Sequence, residues 1–488
     1  MRLILCLLVV LHLSAVDQPQ VGSFSTTFSE RHPESAYERM RVRYGWGQPS
    51  EGALYDLLRE SFDVHVPPDY DGSQAYGLIV YTSPGKGGGA PGEFTALLAK
   101  HRLIWIGAAD VPNERNSVAR WGLSLDAQWN MRKRYRIDSR RVYASGMSGG
   151  GRCASMVAPT YADLWNGAIY LVGCNSPVWP PEKLIGKPIR ELALNNRYAL
   201  LTGSDDFNKP GTASLFQTMK GMKFLHVDYF EQPGLGHAMP GPEWFEKGII
   251  AVDRPLLDEA AALLVQAKGL EKAKPFEACR LFRLLVAEFP IAVEAGAEAS
   301  TRLSALSPAV DALLRVEQGK LTGANADKLR AFALRAEGFP CAVEAKSQAD
   351  AAGSADLEAM VAKPGATLPD RLAKFMTTWS GYPCSARAAT AYDALAATEL
   401  ETITALPDGK QPKALAKMLK DWQECPSLTR AEAKLEQSLA AELEIIMAIE
   451  KVASRGSKLM AFAKAWPGTV AGKRAEDESK KLMTPAKK

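Results

Sequence analysis

Gly146-Met147-Ser148-Gly149-Gly150 fits the pattern G-x-S-x-G, in which a sharp strand-to-helix turn presents a serine hydroxyl for attack on a carbonyl carbon. Such a turn brings strand and helix together, so the residues two before and two after the serine must be small. Gly146 and Gly150 meet that demand. The same glycines do not make a phosphate loop. A Walker motif needs Lys and a hydroxyl residue where Arg152-Cys153 stand, and no register spells the dinucleotide pattern G-x-G-x-x-G. A second glycine-rich stretch, SPGKGGGAPGE at 83–93, has its lysine in the wrong place for the same role.

A serine hydroxyl is a weak nucleophile unless a base removes its proton. The chain has six histidines. His12 lies in an apolar N-terminal run and His32 in a polar lead-in. His65 and His226 fall inside strand-like runs, and His101 at a helix-to-strand junction. His237 is the exception, sitting in PGLGHAMPGP, a Gly/Pro-rich loop directly after the last strand-like run. An acid must orient that imidazole and stabilise its cation. The run RYALLTG ends in Ser204-Asp205-Asp206, which offers two carboxylates in the order serine, acid, histidine.

The elements that must hold these residues are legible between about residues 54 and 250. SFDVHVPP, YGLIVYTSPG, RLIWIGAADV, RVYASG, GAIYLVGC, RYALLTGSDD and LHVDYFEQPG are short apolar runs, several ending in Gly, Ser or Asp. Segments of helical spacing separate them, among them VARWGLSLDAQWNMRKRY and RCASMVAPTYADLW. Alternating strands and helices predict an α/β fold with a mostly parallel central sheet. Ser148 then lies between a strand and a helix, and the acids and His237 lie at strand ends of the same edge.

On these residues the region resembles the α/β-hydrolase superfamily, in particular secreted esterases of the polyhydroxybutyrate-depolymerase and feruloyl-esterase type. The resemblance implies a Ser–Asp–His triad. The family's acid commonly stands three residues past the glycine that ends its strand, which selects Asp206 and leaves Asp205 as the alternative. It also implies two backbone N–H donors for the oxyanion, one at Gly149 and one in the loop after YGLIVYTSPG. Pro84 has no N–H, so that donor is Ser83 or Gly85. The implied activity is carboxylic ester hydrolysis through an acyl-enzyme, with no metal or organic cofactor. The superfamily also hosts serine peptidases with the same triad. A third reading is an inactive hydrolase fold serving as a partner-binding protein.

Beyond residue 254 the character changes: glycine thins out and Ala, Leu, Glu and Lys dominate. Five segments repeat one plan: an amphipathic helix, a proline, and an Ala-rich helix. The prolines are Pro290, Pro340, Pro383, Pro426 and Pro467. This half resembles tetratricopeptide-like repeats without their strict consensus, which implies an all-α helical-hairpin domain able to hold a protein partner. The organisation read from the sequence is a signal peptide at 1–15, an irregular lead-in at 16–50, the hydrolase domain at 51–253 and helical repeats at 254–488.

The leader reading rests on MRLILCLLVVLHLSA, one arginine followed by a short apolar run and small residues. It implies a secreted or periplasmic protein. No later run reaches the ~18–20 apolar residues needed to span a bilayer. A net charge of +4, with no dense basic block before the C-terminus, gives no reason to expect nucleic acid as a partner. Loss of Cys6 with the leader leaves six cysteines, of which Cys153 and Cys174 fall on neighbouring elements. No CxxC pair or Cys/His cluster suggests a zinc site. Trp105, Trp121, Trp129 and Trp179 lie in the hydrolase half. Trp179, in the loop CNSPVWPPE beyond a strand end, has two readings: core or rim packing, the commoner role for tryptophan, or an aromatic platform for a carbohydrate- or aryl-linked ester.

Overall fold

The computed structural model describes residues 19–45, 52–175, 182–321 and 326–483. The leader, with Cys6 and His12, and Trp179 lie outside the described residues. The chain divides after Leu306 into two compact units.

The first unit is built on an eight-stranded sheet. Its strands are β1 (Gly22–Thr27), β2 (Ser61–Val66), β3 (Tyr76–Thr82), β4 (Leu103–Ala108), β5 (Ile137–Met147), β6 (Gly167–Leu171), β7 (Arg197–Gly203) and β8 (His226–Gln232). They lie in the order β1-β2-β4-β3-β5-β6-β7-β8. From β4 to β8 every neighbouring pair is parallel, whereas β2 runs antiparallel to both β1 and β4. This is an α/β-hydrolase fold. All seven apolar runs form strands. β1 is an addition, because its segment was expected to be irregular. GSFSTT alternates half-buried and exposed residues with none fully buried, as an edge strand does.

Helices α1 (Tyr37–Tyr44), α2 (Thr95–Lys100), α3 (Ser117–Arg134), α4 (Gly149–Thr160), α5 (Glu182–Ile185), α6 (Lys187–Asn195), α7 (Lys209–Gly221) and α8 (Pro242–Leu270) surround the sheet. Successive strand residues point to opposite faces, so each strand feeds two cores. Leu78, Val80, Ile104, Ile106, Val142 and Ala144 pack with α3, α4 and α7. Ile79, Tyr81, Leu103, Trp105, Tyr143, Ile169 and Leu201 pack with α2 and with Phe245, Ile249 and Val252 of α8. Trp105 is therefore a core residue, and Trp129 packs edge-on against His32.

Residue 253, where the composition changes, lies inside α8. Asp253 there is 4% exposed at its side chain and takes a two-pronged ion pair from the fully buried Arg141 of β5, at 2.7 and 3.0 Å. The Tyr143 hydroxyl donates to the same carboxylate at 2.7 Å, and burial pushes the Tyr143 phenol well up. α8 then continues beyond the sheet to pack on α9 (Pro275–Glu288). The change in composition thus marks where the helix leaves the sheet. The helix itself does not end there.

The division between the units falls within α10 (Val293–Gly319). In the second unit, α11 (Ala326–Arg335), α13 (Leu368–Thr378), α15 (Gln411–Asp421) and α17 (Val452–Ala465) each pack on the helix that follows. Those partners are α12 (Pro340–Val361), α14 (Pro383–Thr404), α16 (Pro426–Met447) and α18 (Val470–Met483), and they stack in succession. Pro340, Pro383 and Pro426 occupy the first helical position, where a missing N–H costs nothing. An acid caps each of the stacked helices. Asp311 accepts from the Cys341 N–H, Asp350 from Cys384, Asp393 from Ser427 and Glu436 from Val470, at 2.7–2.9 Å. In the last three the acid stands 34 residues before the donor. None of the six described cysteines is in a disulfide.

Candidate active site

β5 delivers Ser148 and α4 begins at the next residue. Ser148 has φ 53° and ψ −117°, a conformation that costs a non-glycine residue about 1–3 kcal/mol and persists only where its surroundings enforce it. The enforcement is visible. The Ser148 N–H donates to the Leu171 carbonyl at 2.8 Å, which holds the turn against β6. A Cβ on Gly150 would lie 1.8 Å from the Thr82 carbonyl oxygen, and one on Gly146 would lie 2.4 Å from the Gly150 carbonyl carbon. Neither position accepts even alanine. The two glycines let α4 settle against the ends of β3 and β5, and the serine stands at the tip.

The loop between β8 and α8 carries His237 over that tip. Its Nε2 lies 2.8 Å from Ser148 Oγ, and its Nδ1 lies 2.8 Å from Asp206 Oδ1. A carboxylate can only accept, so Nδ1 carries the proton and Nε2 is left to accept from the serine hydroxyl. The Asp206 side chain is fully buried. Its Oδ1 also accepts from the Asn208 N–H at 3.0 Å, and its Oδ2 from the Thr202 hydroxyl at 2.9 Å. Asp205 is exposed and accepts from the Ser204 hydroxyl, so only Asp206 of the two acids reaches the imidazole.

The loop after β3 lies beside the turn. Arg120 of α3 donates to the Ser83 carbonyl at 2.8 Å. The Asn113 N–H donates to the Pro84 carbonyl at 2.9 Å. The Gly85 N–H donates to Ser83 Oγ at 3.2 Å. Gly149 opens α4, where the first N–H groups have no partner within the helix. The glycines that follow in 83–93 are not a loose flap. Gly88 packs on Gly107 and donates to Asp63, while its carbonyl accepts from the Trp105 indole.

Three of the other described histidines have structural partners. His65 Nδ1 meets Ser23 Oγ at 2.8 Å, and His101 Nε2 meets Glu246 at 2.6 Å. His32 caps a turn through Glu34 N–H at 3.0 Å. His226 lies on the edge strand β8, where burial and Arg197 lower its basicity.

Five contributors to the site were not named from the sequence. Thr202 holds the far oxygen of Asp206. Asn208 binds Asp206 through its backbone, the Val172 carbonyl through its amide and Arg152 through its side-chain oxygen. Phe207, 72% exposed, lies with its ring centroid 4.1 Å from that of His237. Asn113 and Arg120 border the turn from α3 and the segment before it. The spacing of Asn208, two residues past Asp206, is the ordinary signature of an Asx turn and could have been read. Arg120 reaches the site only through tertiary packing and carried no local signal. A cavity of about 280 Å³ beside the turn is lined by Asn113, Ser117, Arg120, Trp121, Arg152 and Asn175, along with Ser148, Gly149 and Cys153. Among the described residues there is no cluster of metal-ligating side chains, and no helix is long and apolar enough to cross a membrane.

No protein-family model matches the chain, and no curated protein matches it. Among solved structures, a thermophilic esterase from Thermogutta terrifontis, Est2, is 16% identical with a TM-score of 0.31, over 42% of this chain and 89% of its own. The same esterase phosphoramylated by tabun is 15% identical with a TM-score of 0.32, over 42% and 91%. Its butyrate-bound form is 16% identical with a TM-score of 0.31, over 45% and 97%.

Proposed function

We propose that the chain is a serine hydrolase that cleaves carboxylic esters through an acyl-enzyme. The observation that carries this reading is the continuous path from Ser148 Oγ through His237 to the buried Asp206, with both hydrogen bonds at 2.8 Å. Ser148 Oγ attacks the ester carbonyl carbon as His237 Nε2 takes its proton. The new charge on the carbonyl oxygen falls to the N–H groups of Gly149 and Ser83. Ser83 is preferred to Gly85, whose N–H already serves Ser83 Oγ. His237 returns the proton to the departing alkoxide, then activates a water that releases the acid and restores Ser148. Asp206 keeps the imidazole in the tautomer that accepts from serine and stabilises its cation.

The test is labelling of the full chain with a fluorophosphonate probe. Wild-type protein is expected to be labelled once and Ser148→Ala not at all. Equal labelling of the two, or none of either, overturns the assignment. A panel of acetyl, feruloyl and aminoacyl-amide substrates then separates ester from amide cleavage. Turnover of amides alone would make the protein a serine peptidase. We place the enzyme outside the cytoplasm on the strength of its leader-like N-terminus, which N-terminal sequencing of the exported protein would check. Its helical unit is assigned to a protein partner.

A further inference from the structure

The cavity beside Ser148 has a charge that the proposed hydrolysis does not use. Arg120 and Arg152 both line it, and no acidic residue does. Arg120 is 3% exposed. Its guanidinium donates to two neutral oxygens, the Ser83 carbonyl and Asn113 Oδ1, at 2.8 and 3.5 Å, and its Nε has no partner among the described residues. Arg152, exposed on the first turn of α4, donates to the neutral Asn208 Oδ1 at 3.2 Å. Neither guanidinium has a carboxylate within ion-pair distance among the described residues. The remaining polar side chains on the wall, those of Asn113, Ser117, Trp121, Ser148, Cys153 and Asn175, each carry a hydrogen-bond donor. A buried cation without a counter-charge is costly, and proteins ordinarily pair it. The N-terminus of α4 adds further positive potential.

We propose that this cavity receives a carboxylate carried on the acyl part of the substrate, so that the preferred ester is a short half-ester of a dicarboxylic acid. The proposal rests on the serine-hydrolase reading of Ser148 and names the substrate class of that site. The acyl side follows from the lining. Ser148 and Gly149 border the cavity and His237 does not. The alcohol must leave towards His237 Nε2, so the group in the cavity is the one that stays on Ser148. The volume is consistent with a short chain. A cavity of about 280 Å³ has room for a few methylenes and one carboxylate.

The experiment compares monomethyl glutarate with its neutral carboxamide counterpart, reading methanol release by the full chain. A charge-assisted hydrogen bond to the arginines should favour the anionic ester on the order of 10- to 100-fold in kcat/KM. Arg152→Gln should bring that ratio towards one through KM, and Arg152→Lys should restore part of it. The ratio is insensitive to the fraction of folded enzyme. Binding is read separately, as the rise in Tm on adding glutarate, expected in wild type and diminished in Arg152→Gln. A ratio near one, or one unmoved by Arg152→Gln, overturns the carboxylate site even when the fluorophosphonate labels Ser148. If labelling fails but glutarate still raises Tm in an Arg152-dependent way, the anion site stands and the hydrolase reading falls. No glutarate effect on Tm together with no labelling refutes both.

Discussion

Replacing Asp206 with asparagine isolates the charge of the acid from its geometry. Oδ1 accepts from two groups, the fixed Asn208 N–H and His237 Nδ1–H, while Oδ2 accepts from a hydroxyl that can rotate. An asparagine can therefore keep its oxygen at the Oδ1 position and turn its NH₂ towards Thr202 Oγ1, which then accepts. The tautomer of His237 survives, and every buried polar group keeps a partner. What is lost is the anion beside the imidazolium formed during attack. For charge centres ~4 Å apart at an effective dielectric of 20, that attraction is about 4 kcal/mol, an upper figure for the loss. Partial compensation by the remaining dipoles leaves an expected fall in kcat of about 10²- to 10³-fold. KM should stay within about threefold and Tm within a few degrees, because packing and hydrogen bonding persist. Asp205→Asn, on the exposed neighbour, should change kcat by less than about twofold. The assay is steady-state hydrolysis of 4-nitrophenyl acetate with parallel thermal melts. Retention of more than a tenth of wild-type kcat in Asp206→Asn would refute the assignment. So would an equal loss in Asp205→Asn.

The strain at Ser148 predicts that Ser148→Gly is more stable than Ser148→Ala by about 1 kcal/mol, since only glycine adopts φ 53° without cost; equal melting temperatures would remove strain from the description of the turn. Arg141→Met leaves Asp253 buried without its partner and should destabilise the first unit by about 3–5 kcal/mol, read as a shift in its denaturant midpoint. In the second unit, Asp393→Ala removes the acceptor for the Ser427 N–H at the start of α16 and should cost about 1 kcal/mol in chemical denaturation. An unchanged midpoint would mean that water replaces the cap at no cost.

The parts of this molecule that could be read from its sequence are those in which a local pattern answers a local demand. β3, β4, β6 and β7 are buried on both faces, so they appear as unbroken apolar runs. β1 has no such signature, because an edge strand with one half-wet face needs no apolar run. Ser148 could be picked out because the turn that presents it requires glycine at 146 and 150, two residues either side, although the backbone that excludes a side chain at Gly150 is that of Thr82, far upstream. His237 and the paired acids could be picked out because strand ends of a parallel sheet converge on one edge. Which acid turns inward was not settled by residue type. Asp205 and Asp206 are adjacent and chemically alike, and the choice is made by Thr202 and Asn208, whose hydrogen bonds bury one carboxylate and leave its neighbour in water. Arg120 went unseen for a different reason. It stands on α3 among residues of ordinary helical spacing, and its meaning arises only where α3, the loop after β3 and the start of α4 meet. The site is thus legible at the residues that make the bond and opaque at those that select the substrate, because selection depends on walls contributed by elements far apart in the chain.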